Sequence, residues 1–179
     1  MKKWYFLWSL VHSITDAHNY ETLSSVEVFD TITQEWSAIP NMTTERHRCA
    51  AVSLGKNFFV FGGVKDSSNY LSSAEVYDVT TQEWTQLPEM KEKRSVCAAT
   101  VVGNRIYVVG GNNRGNYHSS CEVFDTSTNT WSYHIPDMNI EGSGCQAVSI
   151  GSNIYVIGGM IDSSIPSLEM FEMSMDSVL

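Results

Sequence analysis

A pair of adjacent glycines recurs at a fixed interval along this chain and limits the folds that it can adopt. Gly62-Gly63, Gly110-Gly111 and Gly158-Gly159 lie 48 residues apart, and each pair ends a short run of aromatic and β-branched residues. A fixed period of this length indicates that copies of one supersecondary unit stack side by side. We therefore expect function to reside on a surface that the copies share and not in a single catalytic pocket.

The rest of the unit repeats in register with the glycines. Each copy has an alternating strand with an acidic residue inside it, and a Trp, a Pro and a Met follow in the first three copies. The four acidic strands are predicted at 26–30, 74–78, 121–125 and 168–172. The Trp residues are Trp36, Trp84 and Trp131, and the fourth copy lacks its Trp.

Each complete unit is predicted to form four short strands. In the first complete unit, alternation and β-branched content place them at 49–54, 58–61, 74–78 and 84–87, and the pattern returns 47 or 48 residues further on. Gly and Asn at 55–57, 103–105 and 151–153 predict tight hairpins, since both residue types tolerate a positive φ. Four antiparallel strands per unit describe a propeller blade. The glycine pair would then let a neighbouring backbone approach closely, and the Trp would fill the wedge between adjacent blades.

These features together resemble the kelch repeat over residues 23–173. The family pattern is present as the run from Ile106 to Gly110-Gly111, an acidic strand, Trp131, and an Arg four residues after a Met, as in Met90 to Arg94. The resemblance implies an all-β, incomplete kelch β-propeller with antiparallel four-stranded blades. It is strongest to the kelch-like adaptors of ubiquitin ligases, in which the propeller recognises a substrate protein and separate domains bind the cullin.

The array departs from the family pattern at both ends. The first unit has Ile14-Thr15 where the glycine pair is expected, and the last has Gly142 where the Arg is expected. We predict a degenerate segment at 1–22, a partial repeat at 23–42, full repeats at 43–90 and 91–138, a partial repeat at 139–173 and a tail at 174–179. Kelch propellers usually have about six blades, within the general range of about four to eight, so two full and two partial repeats leave open strand edges. Such edges favour self-association, and a truncated fragment without independent function is an alternative interpretation.

The amino-terminal residues and the cysteines indicate in which cellular compartment the protein lies. Residues 1–17 have the basic and apolar regions of a secretory signal, but the apolar run is short and the cleavage site is poor. Cys49, Cys97 and Cys145 lie 48 apart, so repeat symmetry explains them without disulfides, for which Cα atoms must lie within about 7 Å. No Cys/His spacing predicts a metal site. We expect a cytoplasmic protein with no cofactor and no membrane span.

Candidate partner-binding residues lie on the loops that follow the glycine pairs, at 64–72, 112–119 and 160–167. These loops differ from one another while the strands do not, and they contain Asn69, Tyr70, Arg114 and Tyr117. The family resemblance adds Arg46 and Arg94 to the binding mouth. The alternative for the two arginines is hydrogen bonding to carbonyls between blades, and for the loop residues it is ordinary solvent exposure. The acidic residues at one position of every unit are interpreted as structural; they are Glu27, Glu75, Glu122 and Glu169.

Charge and residue spacing narrow the functional classes. The formal net charge of −9 disfavours nucleic-acid binding, which needs a basic stripe. A protein partner is favoured, such as a ubiquitin-ligase substrate or actin. The alternative is an enzyme on a kelch scaffold, of the copper-oxidase or sugar-acid-epimerase type. The five His residues show no shared spacing, so no catalytic residue is predicted.

Overall fold

The computed structural model describes residues 22–66, 68–133 and 135–161. The predictions for the amino-terminal segment and for the fourth acidic strand at 168–172 lie outside these residues. Every helix or strand in the described ranges is a β-strand. None of these residues belongs to a helix long and apolar enough to cross a membrane.

Two four-stranded antiparallel sheets form the centre of the structure, and we call them blade 2 and blade 3. Blade 2 has the order β3-β4-β5-β6, and blade 3 has the order β7-β8-β11-β12. The strands of blade 2 are β3 (Ala50–Leu54), β4 (Asn57–Phe61), β5 (Ala74–Asp78) and β6 (Glu83–Leu87). The strands of blade 3 are β7 (Ala98–Val102), β8 (Arg105–Val109), β11 (Cys121–Asp125) and β12 (Thr130–Ser132).

Two half-blades flank this pair. Blade 1 consists of β1 (Val26–Asp30) and β2 (Glu35–Ile39), which correspond to the two outer strands of a full blade. Blade 4 consists of β13 (Gln146–Ile150) and β14 (Asn153–Ile157), which correspond to the two inner strands. A small additional hairpin, β9 (Asn112–Asn113) and β10 (Asn116–Tyr117), lies in the loop of blade 3.

The observed strands confirm the predicted blade pattern. Strands of blade 2 begin and end within one residue of the predicted bounds, and the tight turns occur where Gly and Asn were found. The acidic position pairs with the same position in each blade, with Glu75 opposite Val60 and Glu122 opposite Val108. The fold is therefore an all-β, partial propeller of antiparallel four-stranded blades.

The blades pack face to face through apolar side chains. The core between blades 2 and 3 joins Phe59 and Phe61 to Ile106, Val108 and Phe124. A second core joins Tyr107 and Val109 of blade 3 to Ile154 and Val156 of blade 4. Because each core is shared by two blades, a blade is stabilised by its neighbours and not by a core of its own.

The Trp residues join consecutive blades, as predicted. The Trp84 indole Nε1 donates to the carbonyl oxygen of Pro40 at 2.7 Å, and the Trp131 Nε1 donates to that of Pro88 at 2.8 Å. The Trp131 ring also meets the Phe61 ring edge-on across the blade boundary, with centroids 5.7 Å apart. Trp84 and Trp131 thus fill the wedge with their rings, and each satisfies its single donor on the preceding blade.

The glycine pairs lie where one blade's backbone contacts the next. Gly63 N–H donates to Arg94 O at 2.8 Å, and Gly111 N–H donates to Gly142 O at 2.8 Å. Gly63 and Gly111 have φ of +98° and +101°, and a Cβ on Gly111 would lie 2.9 Å from Ser95 O. A side chain at this position would therefore face both a strained backbone and a steric clash, which explains the repeated glycine.

Candidate protein-binding face

In the part of the chain that the structure describes, one end of the blades carries all of the long connections, and we call it the loop face. The chain leaves β4 and enters β5 at this end, and it also enters β3 there, because the strands are antiparallel. The loop face consists of loops 64–73 and 112–120 together with the connections between blades at 40–49, 88–97 and 136–145. The opposite end, which we call the turn face, has only short hairpin turns among the described residues.

Hydrogen bonds within the loop of blade 2 hold it in place. Lys65 N–H donates to Asn69 O at 3.0 Å, and the Asp66 carboxylate accepts from the amides of Ser68 and Asn69 at 3.1 and 2.9 Å. Asn69 is exposed, and Tyr70 is half-buried beside the backbone pair that it forms with Val64. The loop therefore presents these two side chains from a defined backbone.

The loop of blade 3 folds into the β9–β10 hairpin, which was not predicted. Asn112 pairs with Tyr117, and the Asn112 side chain accepts from Gly115 N–H at 3.1 Å. Arg114 sits at the tip with φ of +54°, and its side chain is exposed. Two-residue strands have no hydrophobic alternation to reveal them, although the sequence Arg114-Gly115 with flanking Asn residues is typical of a turn.

Arg114 connects the two loops. Its guanidinium donates to Ser68 O from Nε at 3.2 Å and from Nη2 at 2.8 Å. Two donors on one carbonyl oxygen fix the direction of the planar group. The contact brings Arg114 beside the loop that presents Asn69 and Tyr70, so three of the predicted binding residues lie on adjoining loops. Tyr117 lies on β10, half-buried, at the base of the same hairpin.

Arg46 and Arg94 do not lie on this surface. Both side chains are 0% exposed, so the structure corrects their assignment to partner binding. Arg46 donates to Gly62 O at 2.7 Å and to Ser73 O at 3.1 Å, and it pairs with Glu75 at 2.6 Å. The alternative, hydrogen bonding to carbonyls, is what the structure shows, although these carbonyls belong to the arginine's own repeat.

Arg94 repeats the arrangement one blade further on. It donates to Gly110 O at 2.7 Å and Ser120 O at 2.9 Å, and it pairs with Glu122 at 2.9 Å. Each cluster binds the end of the glycine strand to the start of the acidic strand. Sequence reasoning could not separate a buried arginine from one lining the mouth, because both readings place it before the first strand of a blade.

The buried glutamates anchor the connections between blades. Glu75 accepts from the Thr43 amide at 2.8 Å, the Thr43 hydroxyl at 2.7 Å and the Thr44 amide at 3.1 Å. Burial alone would raise the pKa of Glu75, but the hydrogen bonds from Thr43 and Arg46 outweigh it and hold the pKa below its usual value. Glu122 accepts the amides of Lys91 and Glu92 in the same way, at 2.7 and 3.1 Å.

Basic side chains are concentrated on the loop face. The exposed lysines and arginines there are Arg48, Lys65, Lys91, Lys93 and Arg114. Acidic residues such as Glu45 and Glu92 lie among them, and Lys65 approaches Glu45 at 3.9 Å. The turn face instead carries Asp78 and Asp125, whose carboxylates accept the amides of the following turns. The two ends of the blades thus offer partners different charge patterns.

The thiols and potential metal ligands show no reactive arrangement within the described residues. Burial raises the pKa of Cys97 to about 12 and that of Cys121 to about 12. A thiol with so high a pKa is a weak nucleophile because little thiolate forms near neutral pH. In the described ranges no group of three His, Cys, Asp or Glu residues could hold a metal ion.

Comparison with known proteins agrees with this architecture. The family model of the KLHDC2/KLHL20/DRC7 Kelch-repeats domain matches residues 13–177. An F-box/kelch-repeat protein of Arabidopsis thaliana is 36% identical over 47 residues, which are 26% of this chain and 10% of that protein. The solved structure titled "Structure of YjhT" superposes with a TM-score of 0.75 at 13% identity, covering 86% of this chain and 50% of that one.

The last two similarities support less than the family match does. The chain spans 10% of the length of the plant relative and half of the length of the YjhT chain. At 13% identity, the likeness to YjhT shows the fold alone. The family match, in contrast, covers nearly the whole chain and the same repeats that build the blades. The chain therefore belongs to the kelch-repeat family.

Proposed function

We propose that the chain is a protein-interaction module that binds its partner through the loop face. Kelch repeats generally mediate protein–protein interaction, and loops on a rigid scaffold commonly carry recognition. The observation that carries the proposal is the Arg114–Ser68 contact, which joins two loops of different sequence into one surface. Asn69, Tyr70, Arg114 and Tyr117 are the residues that we assign to this surface.

Two finer roles are consistent with this surface, and we favour the first. The match to the KLHDC2/KLHL20/DRC7 Kelch-repeats domain and the likeness to an F-box/kelch-repeat protein support substrate recognition for a ubiquitin ligase. A cytoskeletal, actin-associated role is the second. In either role we place the protein in the cytoplasm, which the four free cysteines support. We further propose that the chain has no catalytic activity, since the buried thiols and glutamates serve the fold.

Binding measurements that compare a variant of the loop face with a variant of the turn face test this proposal. Proteins or peptides selected against the intact chain are measured with the double variant Arg114→Ala, Tyr117→Ala and with Lys56→Ala, an exposed lysine on the turn face. We expect the double variant to weaken binding at least about tenfold, because Arg and Tyr frequently anchor interfaces. Lys56→Ala should bind like the wild type. Equal binding by the double variant would remove the loop face from the proposal.

The two finer roles are separated by one further measurement. Co-sedimentation with filamentous actin should recover no more of the wild-type chain than of the double variant if the ubiquitin-ligase role is correct. Actin binding that is lost in the double variant but kept in Lys56→Ala would favour the cytoskeletal role.

A further inference from the structure

The two half-blades of this chain are complementary. Blade 1 supplies only the outer strands β1 and β2, and blade 4 supplies only the inner strands β13 and β14 among the described residues. No described strand pairs with the outer edge of β14 or with the inner edge of β1. In blades 2 and 3 these are the edges that pair, as β4 with β5 and β8 with β11.

We propose that a second copy of this chain completes both half-blades. The β1–β2 hairpin of one copy pairs with β14 of the other, head to tail, and the reciprocal contact forms on the far side. Counted over its described residues, each copy brings two complete blades and two halves, so two copies close a ring of six blades, within the range of about four to eight. A head-to-tail interface that closes after two copies gives a ring and not a filament.

The strand register supports this pairing. The pairs Phe58↔Tyr77 and Val60↔Glu75 of blade 2 define the register of an inner strand on an outer strand. The same offset places Ile154 opposite Phe29 of the second copy and Val156 opposite Glu27. An aromatic residue thus meets an apolar residue, and a Glu meets a Val, as Glu122 meets Val108 in blade 3. Cross-strand pairs of this kind stabilise sheets.

A Trp and a proline carbonyl distinguish a second copy from the chain's own carboxyl-terminal segment. Trp84 and Trp131 each donate to a proline carbonyl of the preceding blade. Pro136 is the next such proline, but the chain has no Trp after Trp131. Trp36 on β2 is 55% exposed, and no acceptor for its indole is found among the described residues. In the hybrid blade, Trp36 of one copy reaches the Pro136 carbonyl of the other.

Exposed apolar side chains mark the open end of blade 4. Val148, Ile150 and Ile157 are 44%, 67% and 41% exposed. Their equivalents in blade 2 are Val52 and Leu54, which pack against the core shared with blade 3, and Phe61, which is 0% exposed. Completing the ring gives these side chains the neighbouring blade that the same positions have elsewhere in the array.

One interaction of the regular blades is missing from the hybrid blade. Glu75 and Glu122 each bind a buried arginine, but Gly142 occupies the position from which an arginine would reach Glu27 of the second copy. Gly142 has room for a Cβ, since its closest contact would be Met160 O at 3.8 Å. The dimer is therefore weaker than the joints within one chain, and it can be strengthened at a known position.

Cysteine cross-linking tests the pairing directly on the full chain. Tyr155 and Val28 are opposite each other across the proposed joint. Mixing Tyr155→Cys chains with Val28→Cys chains should give a covalent dimer on mild oxidation, and neither variant alone should. The competing occupant is residues 168–172 of the same chain, which would place Met170 opposite Tyr155. An internal disulfide in a monomeric Tyr155→Cys, Met170→Cys chain would overturn the proposal.

A second measurement needs no new cysteine. Light scattering coupled to size exclusion should give the mass of two chains for the wild type, and Gly142→Arg should lower the dimer dissociation constant about tenfold by supplying a partner for Glu27. Adding Glu27→Gln should cancel that gain. A chain that stays monomeric at every concentration, or a Gly142→Arg gain that survives Glu27→Gln, would contradict the proposal.

Discussion

At the scale of single residues, the buried arginine–glutamate pairs show why a repeated polar residue need not be a binding residue. Arg46 and Arg94 occupy positions that the kelch resemblance assigns to the binding mouth, yet they are completely buried. A buried charge is tolerated only when it is paired and hydrogen-bonded. The arginines meet this condition with two carbonyls and a carboxylate each.

Removing one partner of such a pair should therefore unfold the protein more readily. Arg94→Met leaves Glu122 buried without its cation, and we expect a loss of about 3–5 kcal/mol in the free energy of unfolding. Arg105→Met breaks the partly exposed pair with Asp125 and should cost about 0–1 kcal/mol. Urea denaturation of both variants measures the difference. Equal losses would show that burial of the Arg94 pair has no special role.

The lowered pKa of Glu75 predicts how stability changes with pH. A carboxyl whose pKa is lower in the folded state contributes stability above its unfolded pKa of about 4.3 and loses it as the pH falls through the folded value. The stability gap between wild type and Glu75→Gln should thus be constant near neutral pH and narrow in acid. Glu83→Gln on the exposed strand β6 serves as the control. If the stability gap between wild type and Glu75→Gln widened in acid, the pKa of Glu75 would be higher in the folded state than in the unfolded state.

At the scale of elements, the sequence predicts the strands closely and the loops poorly. Strands of blade 2 follow from alternation because each side chain faces either one neighbouring blade or the other. The β9–β10 hairpin and the Arg114–Ser68 contact were not predicted, since they depend on which loops the blades bring together. The predicted loop residues were found on the loop face because the glycine pairs mark where that face begins.

The contact between blades at the glycine pairs can be separated from backbone strain. Gly103 and Gly110 have φ of +59° and +61°, but a Cβ on Gly103 meets nothing within 4 Å while one on Gly110 would lie 2.7 Å from Gly142 O on the connection to blade 4. Gly103→Ala should cost about 1–2 kcal/mol from strain alone. Gly110→Ala should cost clearly more, because the connection that leads into blade 4 must also move away from blade 3. Thermal unfolding compares the two, and similar losses would mean that the blades do not touch as described.

Trp131 provides a matching test for the outer strands. Trp131→Phe keeps an aromatic ring near Phe61 but removes the donor to Pro88 O. We expect a loss of about 1 kcal/mol or more in the free energy of unfolding, from the hydrogen bond and the smaller ring. Because this hydrogen bond joins two blades, its loss should let the segment around Pro88 open more often. Faster amide exchange at Glu89 and Met90 would report that opening. No change in either quantity would show that the indole donor is dispensable.

At the scale of the whole molecule, a rigid stack of blades separates structural positions from recognition positions. Residues repeated between blades, such as the glycine pairs and the buried glutamates of blades 2 and 3, hold the blades together. Residues that differ between units, such as Tyr70 and Arg114, lie on the loop face. The sequence revealed this division through its period, but it could not show the depth at which each repeated residue lies.

We propose that the loop face is the surface that a partner covers. Hydrogen–deuterium exchange of the intact chain, with and without a bound partner, tests this claim most directly. We expect slower exchange on binding in loops 64–73 and 112–120, and unchanged exchange in the turns at 79–82 and 126–129 of the opposite face. Protection of those turns, with the two loops unaffected, would contradict it.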